Sequence, residues 1–157
     1  MDDTQAAFRL ERGSTGFCPF DDQSVPEVGP GVCRTAWYAA ARAARGRDVG
    51  FTDRAYPQNF HHATLDDHDG THCGLFHAHH PLIAFVREQR PWYTDEFADP
   101  PEWAAVLGDH GFTVLSASRL LLPLRKADTS ALTAAEREQI RYWRPDTVGE
   151  VLFNSWD

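Results

Sequence analysis

Seven of the eight histidines fall within residues 61–80: His61, His62, His68, His72, His77, His79 and His80. Imidazole is the commonest metal ligand and the side chain that titrates, unperturbed, near neutral pH, so metal binding or acid–base chemistry is the first reading of this stretch. If its second half is extended, His77 and His79 point to one face, because strand side chains repeat every second residue, and they can share one ion. His61 supplies a third ligand from the preceding segment, with His62 or the acidic residues Asp66, Asp67 and Asp69 as alternatives. Zinc is the ion such a set would take, and a hydrolytic zinc would use Glu88 as its general base. Neither H-E-x-x-H nor a paired C-x-x-C accompanies the cluster.

A thiol nucleophile is the second arrangement. Cys33 lies just before a helix-forming stretch, where unpaired N–H groups and the helix dipole lower a thiol pKa. His72 opens an apolar run and would serve as the base, oriented by His77 or an aspartate. Helix-borne cysteine followed by strand-borne histidine resembles the general arrangement of papain-like and related cell-wall amidases. Cys33-Arg34-Thr35-Ala36-Trp37 and His72-Cys73-Gly74-Leu75-Phe76 can be laid on that pattern, which implies amide hydrolysis by Cys33 and His72.

The third arrangement is a recognition surface without catalysis. The 157 residues carry a formal charge of −8. Exposed acids such as Asp2, Asp3, Asp21, Asp22, Asp66, Asp67, Asp69, Asp95, Glu96 and Asp99 would steer the protein toward a basic protein partner. Trp92, Tyr93, Trp103, Tyr142 and Trp143 are the residue types that anchor such surfaces. The same charge excludes nucleic-acid binding through a basic patch, which draws its affinity from cations on phosphates. Nucleotide-dependent chemistry has no Gly-rich phosphate loop to rest on, and G-x-S-x-G is missing. Fourteen of the fifteen cationic residues are Arg, a bias that points to a GC-rich genome.

Positioning these groups falls to a core supplied by 42 % hydrophobic residues, with five Trp and ten Phe. The Ala-rich residues 35–45 predict a helix with Trp37, Ala40, Ala41 and Ala44 buried and Gly46 ending it. Residues 50–70 lack a clear period and read as a long loop. Residues 73–76 and 82–86 are strand-length apolar runs, continuous or broken at His80-Pro81, followed by a strand near 93–97. Pro100-Pro101-Glu102 opens a helix to about Leu107, residues 112–115 form a strand, and residues 116–121 a short helix ended before Pro123. Thr133 and Glu136 form a capping box for a helix ending about Trp143. Asp146-Thr147 caps a last helix whose face carries Val148, Val151, Leu152 and Trp156, with Trp156 packed into the core.

Together these elements predict one α+β domain over residues 1–157. Its small antiparallel sheet is covered on one side by the 35–45 helix and the two C-terminal helices, with residues 1–32 irregular and on the surface. No run reaches the roughly 18 apolar residues of a membrane span, and the acidic N-terminus lacks the pattern of a secretory signal. Three widely spaced cysteines, Cys18, Cys33 and Cys73, suit a reducing compartment. The expectation is a small acidic cytoplasmic protein that binds another macromolecule, in the manner of inhibitor and immunity proteins. A zinc-dependent hydrolase or metal-binding protein built on residues 61–80 and a Cys33–His72 amidase stand as alternatives.

Overall fold

A computed structural model describes residues 8–17, 27–87 and 96–156. Helix α1 (Pro30–Ala44) precedes a meander of β1 (Arg47–Thr52), β2 (Phe60–Asp67), β3 (Gly70–His77) and β4 (Leu82–Val86). The chain continues through β5 (Phe97–Ala98), a 3-10 turn at Glu102–Ala104, α2 (Ala105–Asp109), β6 (Thr113–Val114) and α3 (Ala117–Leu120). A second 3-10 turn at Leu124–Lys126 leads to α4 (Ala134–Trp143) and α5 (Val148–Leu152). The six-stranded sheet runs β1-β2-β3-β4-β5, and β6 joins β4 in parallel beside the antiparallel β5. The fold is α+β with a small open sheet, as its pattern of elements predicts.

Side-chain parity sorts the core into two layers. Ala63, Leu65, Phe76, Ile83 and Phe85 pack with Cys33, Ala36, Trp37 and Ala40 of α1 and with Leu107 of α2. Phe60, Leu75, Ala84, Val86 and Phe97 project from the other face onto Leu10, Leu120, Val148, Val151, Leu152 and Phe153. The helices therefore cover both faces, where all three were expected on one. Gly74 lets the Trp37 indole lie against the sheet: a Cβ there would sit 3.0 Å from the ring. The indole N–H donates to the Thr64 carbonyl at 3.0 Å.

Several local expectations shift. Residues 50–70 are not a long loop, since Phe51 pairs with Ala63 and Thr52 with His62 across β1 and β2. The buried alternation of β2 is real, but His61 and Asp67 occupy two of its buried positions and erase the apolar signal. Helix α1 starts at Pro30, whose fixed φ and missing N–H suit a first helical position. It ends on Arg45 in the left-handed region (φ 54°) rather than on Gly46. A Cβ on Gly46 would instead meet the Leu65 side chain at 3.2 Å. Residues 10–15 do not lie wholly on the surface: Glu11 and Arg12 are exposed, but Leu10 is fully buried and Ser14 and Thr15 nearly so. Helix α5 stops at Leu152, and Trp156, partly buried, packs against the edge of the core and stacks parallel on Trp143 with centroids 6.1 Å apart. Trp92 and Tyr93, and the strand expected near 93–97 up to Asp95, lie outside the described residues. No described helix is long and apolar enough to cross a membrane.

Candidate functional site

The sheet takes the histidine cluster apart. His61 pairs with Phe76 and Phe60 with His77, so His61 faces α1 while His77 faces α5. His61 Nδ1 accepts the Arg54 backbone N–H at 2.9 Å and its ring lies 5.7 Å from Phe51. Its Nε2, which must then carry the proton, is buried without a hydrogen-bond partner among the described residues. His77 is fully buried. Its Nδ1 accepts the backbone N–H groups of His79 (3.0 Å) and His80 (3.1 Å), so Nε2 carries the proton and donates to the Ser14 carbonyl at 2.8 Å. No lone pair of that ring is left for an ion. Burial drives the His77 pKa down to about 3, against the Ser14 hydrogen bond that raises it. His79 follows the end of β3, its ring 5.9 Å from that of His77. The His61, His77 and His79 set is thus not gathered, because a sheet lies between His61 and the other two. His80 Nε2 donates to the Arg12 carbonyl at 2.7 Å.

Cys33 and His72 are not brought together either. Cys33 sits in the first turn of α1, fully buried, and burial pushes its thiol up to about 12, with the charge of Asp53 adding to the rise. His72 stands opposite Leu65 at the far end of β2, its Nε2 3.0 Å from Asp67 Oδ1 and its ring edge-on to Trp103. Burial alone would raise the Asp67 carboxyl. Hydrogen bonds from Trp103 Nε1 (2.9 Å), the Asp69 N–H (2.8 Å) and His72 outweigh it and hold the group at about 2. Asp67, His68 and Asp69 place three ligand-type atoms within 4.8 Å of one another in the β2–β3 turn. Asp67 is already committed there to its indole and imidazole partners. Glu88 and Cys18 lie outside the described residues.

Much of the buried polar chemistry holds one irregular segment. The Glu136 carboxylate, fully buried, accepts the N–H groups of Gly13 and Thr15 (3.0 Å each), the Thr15 hydroxyl (2.6 Å) and its own capping-box N–H from Thr133 (3.2 Å). Asn59 Nδ2 donates to the Leu152 carbonyl, and Asn154 Nδ2 to the carbonyls of Thr15 and Val151. The two asparagines also join each other, with Asn154 N donating to Asn59 Oδ1 and Asn59 N to the Asn154 carbonyl. A Cβ on Gly16 (φ 76°) would strike Asn59 Cβ at 2.4 Å, so only glycine closes this turn.

The segment so fixed forms one wall of a cleft of about 380 Å³, lined on that side by Thr15, Gly16 and Phe17 and opposite by Arg54, Tyr56, Gln58 and Trp156. Trp156 stacks on Trp143, and Trp143 meets Tyr142 edge-on at 5.2 Å, so the aromatic surface continues onto α4. Of seven large apolar side chains exposed among the described residues, Phe17, Tyr56, Tyr142 and Trp143 belong to this surface. Sequence reading reached Tyr142 and Trp143 but missed Phe17, Tyr56 and the buried Asn59–Asn154 pair. Two single asparagines 95 residues apart carry no pattern that announces them as partners. No family model, curated protein or solved structure matches this chain. The cleft and its chemistry therefore carry the functional reading by themselves.

Proposed function

We propose that this protein works by binding another macromolecule, as a small inhibitor or immunity-type protein does, and that the aromatic cleft is its contact surface. The observation that carries this reading is the pair of exposed Phe17 and Tyr56 at a cleft that also presents Arg54, an aromatic surface continued through Trp156 onto exposed Trp143 and Tyr142. Tyr, Trp and Arg are the residue types that dominate binding energy once desolvated. The wall beneath them is held by buried hydrogen bonds, so little ordering entropy remains to be lost on association. The side chains with catalytic chemistry point the same way: His77 and Cys33 are buried and neutral, and His77 spends both ring nitrogens on the backbone. Buried free thiols at Cys33 and Cys73 suit a reducing, cytoplasmic setting.

A basic protein is the partner class that the charge favours. Six of the eight net negative charges fall in residues 1–7, 18–26, 88–95 and 157, outside the described residues, and Asp21 and Asp22 follow Phe17 closely in the sequence. The test is pairwise co-expression with the products of adjacent genes, followed by titration of any complex. One such product, basic in charge, is expected to co-elute at a fixed ratio. The double variant Tyr142→Ala, Trp143→Ala should weaken that complex by about 30-fold or more. A complex of unchanged affinity would remove the cleft from the interface. Amide or ester hydrolysis lost on Cys33→Ser would replace binding with catalysis.

A further inference from the structure

A separate groove of about 850 Å³, which shares no lining residue with the cleft, runs between α4 and the 3-10 turn at Leu124–Lys126. Its floor is apolar, from Leu124, Ala127, Ile140 and Pro145. Arg125, Arg137 and Arg141 line its rim, against one carboxylate, Asp146. In a chain of net charge −8, three guanidinium groups around one apolar groove run against the overall charge. Arg137 and Arg141 stand one helical turn apart, where like charges repel. The Arg137 side chain is braced by two N–H groups on the Leu132 carbonyl, at 3.2 and 2.8 Å. No carboxylate of the described residues pairs with Arg125 or Arg141.

The groove is also preformed. Leu124 N donates to the Asp146 carbonyl and Val148 N to the Leu122 carbonyl, and Pro123 bridges to Thr147, so the 3-10 turn is tied to the entry of α5. Arginines that repel one another around a fixed apolar floor are offset by a ligand that brings carboxylates and an aliphatic side chain together.

We propose that this groove binds an acidic peptide segment of a partner protein, its carboxylates on Arg125 and Arg141 and an apolar side chain over Ile140 and Leu124. The assignment is independent of the cleft, and it names a second surface of opposite charge preference. The net charge of the whole protein favours a peptide over a nucleic acid, which would bring its phosphates against an excess of carboxylates.

Fluorescence anisotropy with the full chain tests it, using three labelled probes: a short peptide alternating Glu and Leu, its Lys and Leu counterpart, and a single-stranded oligonucleotide. The Glu and Leu peptide is expected to saturate, to weaken as salt rises, and to lose about tenfold or more in affinity on Arg125→Glu with Arg141→Glu. The charge-matched control Arg42→Glu with Arg47→Glu, on α1 and β1, should leave it unchanged. Arg125→Gln with Arg141→Gln repeats the loss without reversing charge, and thermal melts establish that each variant is folded. No saturation, equal binding of the Lys and Leu peptide, equal loss in the control, or an oligonucleotide that binds more tightly through the same arginines would each overturn the proposal. A failed cleft interface leaves these results untouched.

Discussion

At the scale of the residue, His77 marks the distance between a residue type and its use. An imidazole that accepts two backbone N–H groups and donates to a carbonyl is a neutral strut for the turn at Arg12–Thr15. Replacing it by leucine leaves the Ser14 carbonyl with only the longer hydrogen bond from Asn59 Nδ2, at 3.4 Å, and takes the acceptor from the His79 and His80 N–H groups. His77→Leu is expected to cost on the order of 3 kcal/mol in urea unfolding at pH 7.5. The sign of the pH dependence follows from the same burial. The folded His77 pKa, about 3, lies below its ordinary 6.5. Unfolding therefore takes up a proton anywhere between those values, and stability is complete above pH 6.5 and declines as pH falls toward 3. Burial lowers His61 and His62 too, and they act in the same direction. Asp67, held at about 2 against 3.8, adds a further loss below about pH 4. The wild-type protein should lose stability steadily between pH 6.5 and 4, and His77→Leu should be flatter. A wild-type stability independent of pH across that window would contradict the buried neutral imidazole.

At the scale of the element, capping boxes at Thr133 and Thr147 set the starts of α4 and α5, and both are local devices that sequence spacing reveals. Glu136 is more than a cap, since its carboxylate also holds Gly13 and Thr15 from far along the chain. Gly149 separates helix propensity from packing. Alanine is favoured over glycine inside a helix by about 1 kcal/mol, yet a Cβ at residue 149 would sit 2.3 Å from the Phe97 ring and 2.9 Å from the Leu120 carbonyl. The backbone carbonyl cannot swing aside, so overpacking wins. Gly149→Ala is expected to destabilise by roughly 1–3 kcal/mol, read as a lower urea midpoint at unchanged slope. A higher midpoint would mean that α5 stands off the sheet further than its contacts imply.

At the scale of the whole molecule, the sheet divides the histidines and the sheet's covering decides which surfaces remain for partners. His61 and His72 lie on the α1 side, His62 and His77 on the other, and His68 in an exposed turn. A dialysed, untagged preparation exposed to micromolar zinc should therefore retain well under one ion per chain by elemental analysis. Retention of one zinc, lost on His77→Leu, would require the Ser14 and His79 hydrogen bonds to break and would restore the metal reading. Helix α4 contributes to both candidate contact surfaces, with Arg137, Ile140 and Arg141 on the arginine-lined groove and Trp143 stacked on Trp156 of the aromatic cleft.

What sequence by itself determined was local. The helix caps at Thr133 and Thr147, the apolar runs that become β3 and β4 and the α+β class all follow from periodicity and capping, which act within a few residues, while the break between the two runs was settled by the fold. The tertiary structure alone decided the fate of the chemistry. Strand β2 carries His61 and Asp67 at buried positions, so its apolar period vanishes from the sequence although its alternation of burial persists. Register across β2 and β3 placed His61 and His77 on opposite faces, and pairing of Asn59 with Asn154 built the cleft wall from segments 95 residues apart. Such pairings depend on which distant segments share a layer, and that information resides in the packing of the two cores rather than in any spacing along the chain.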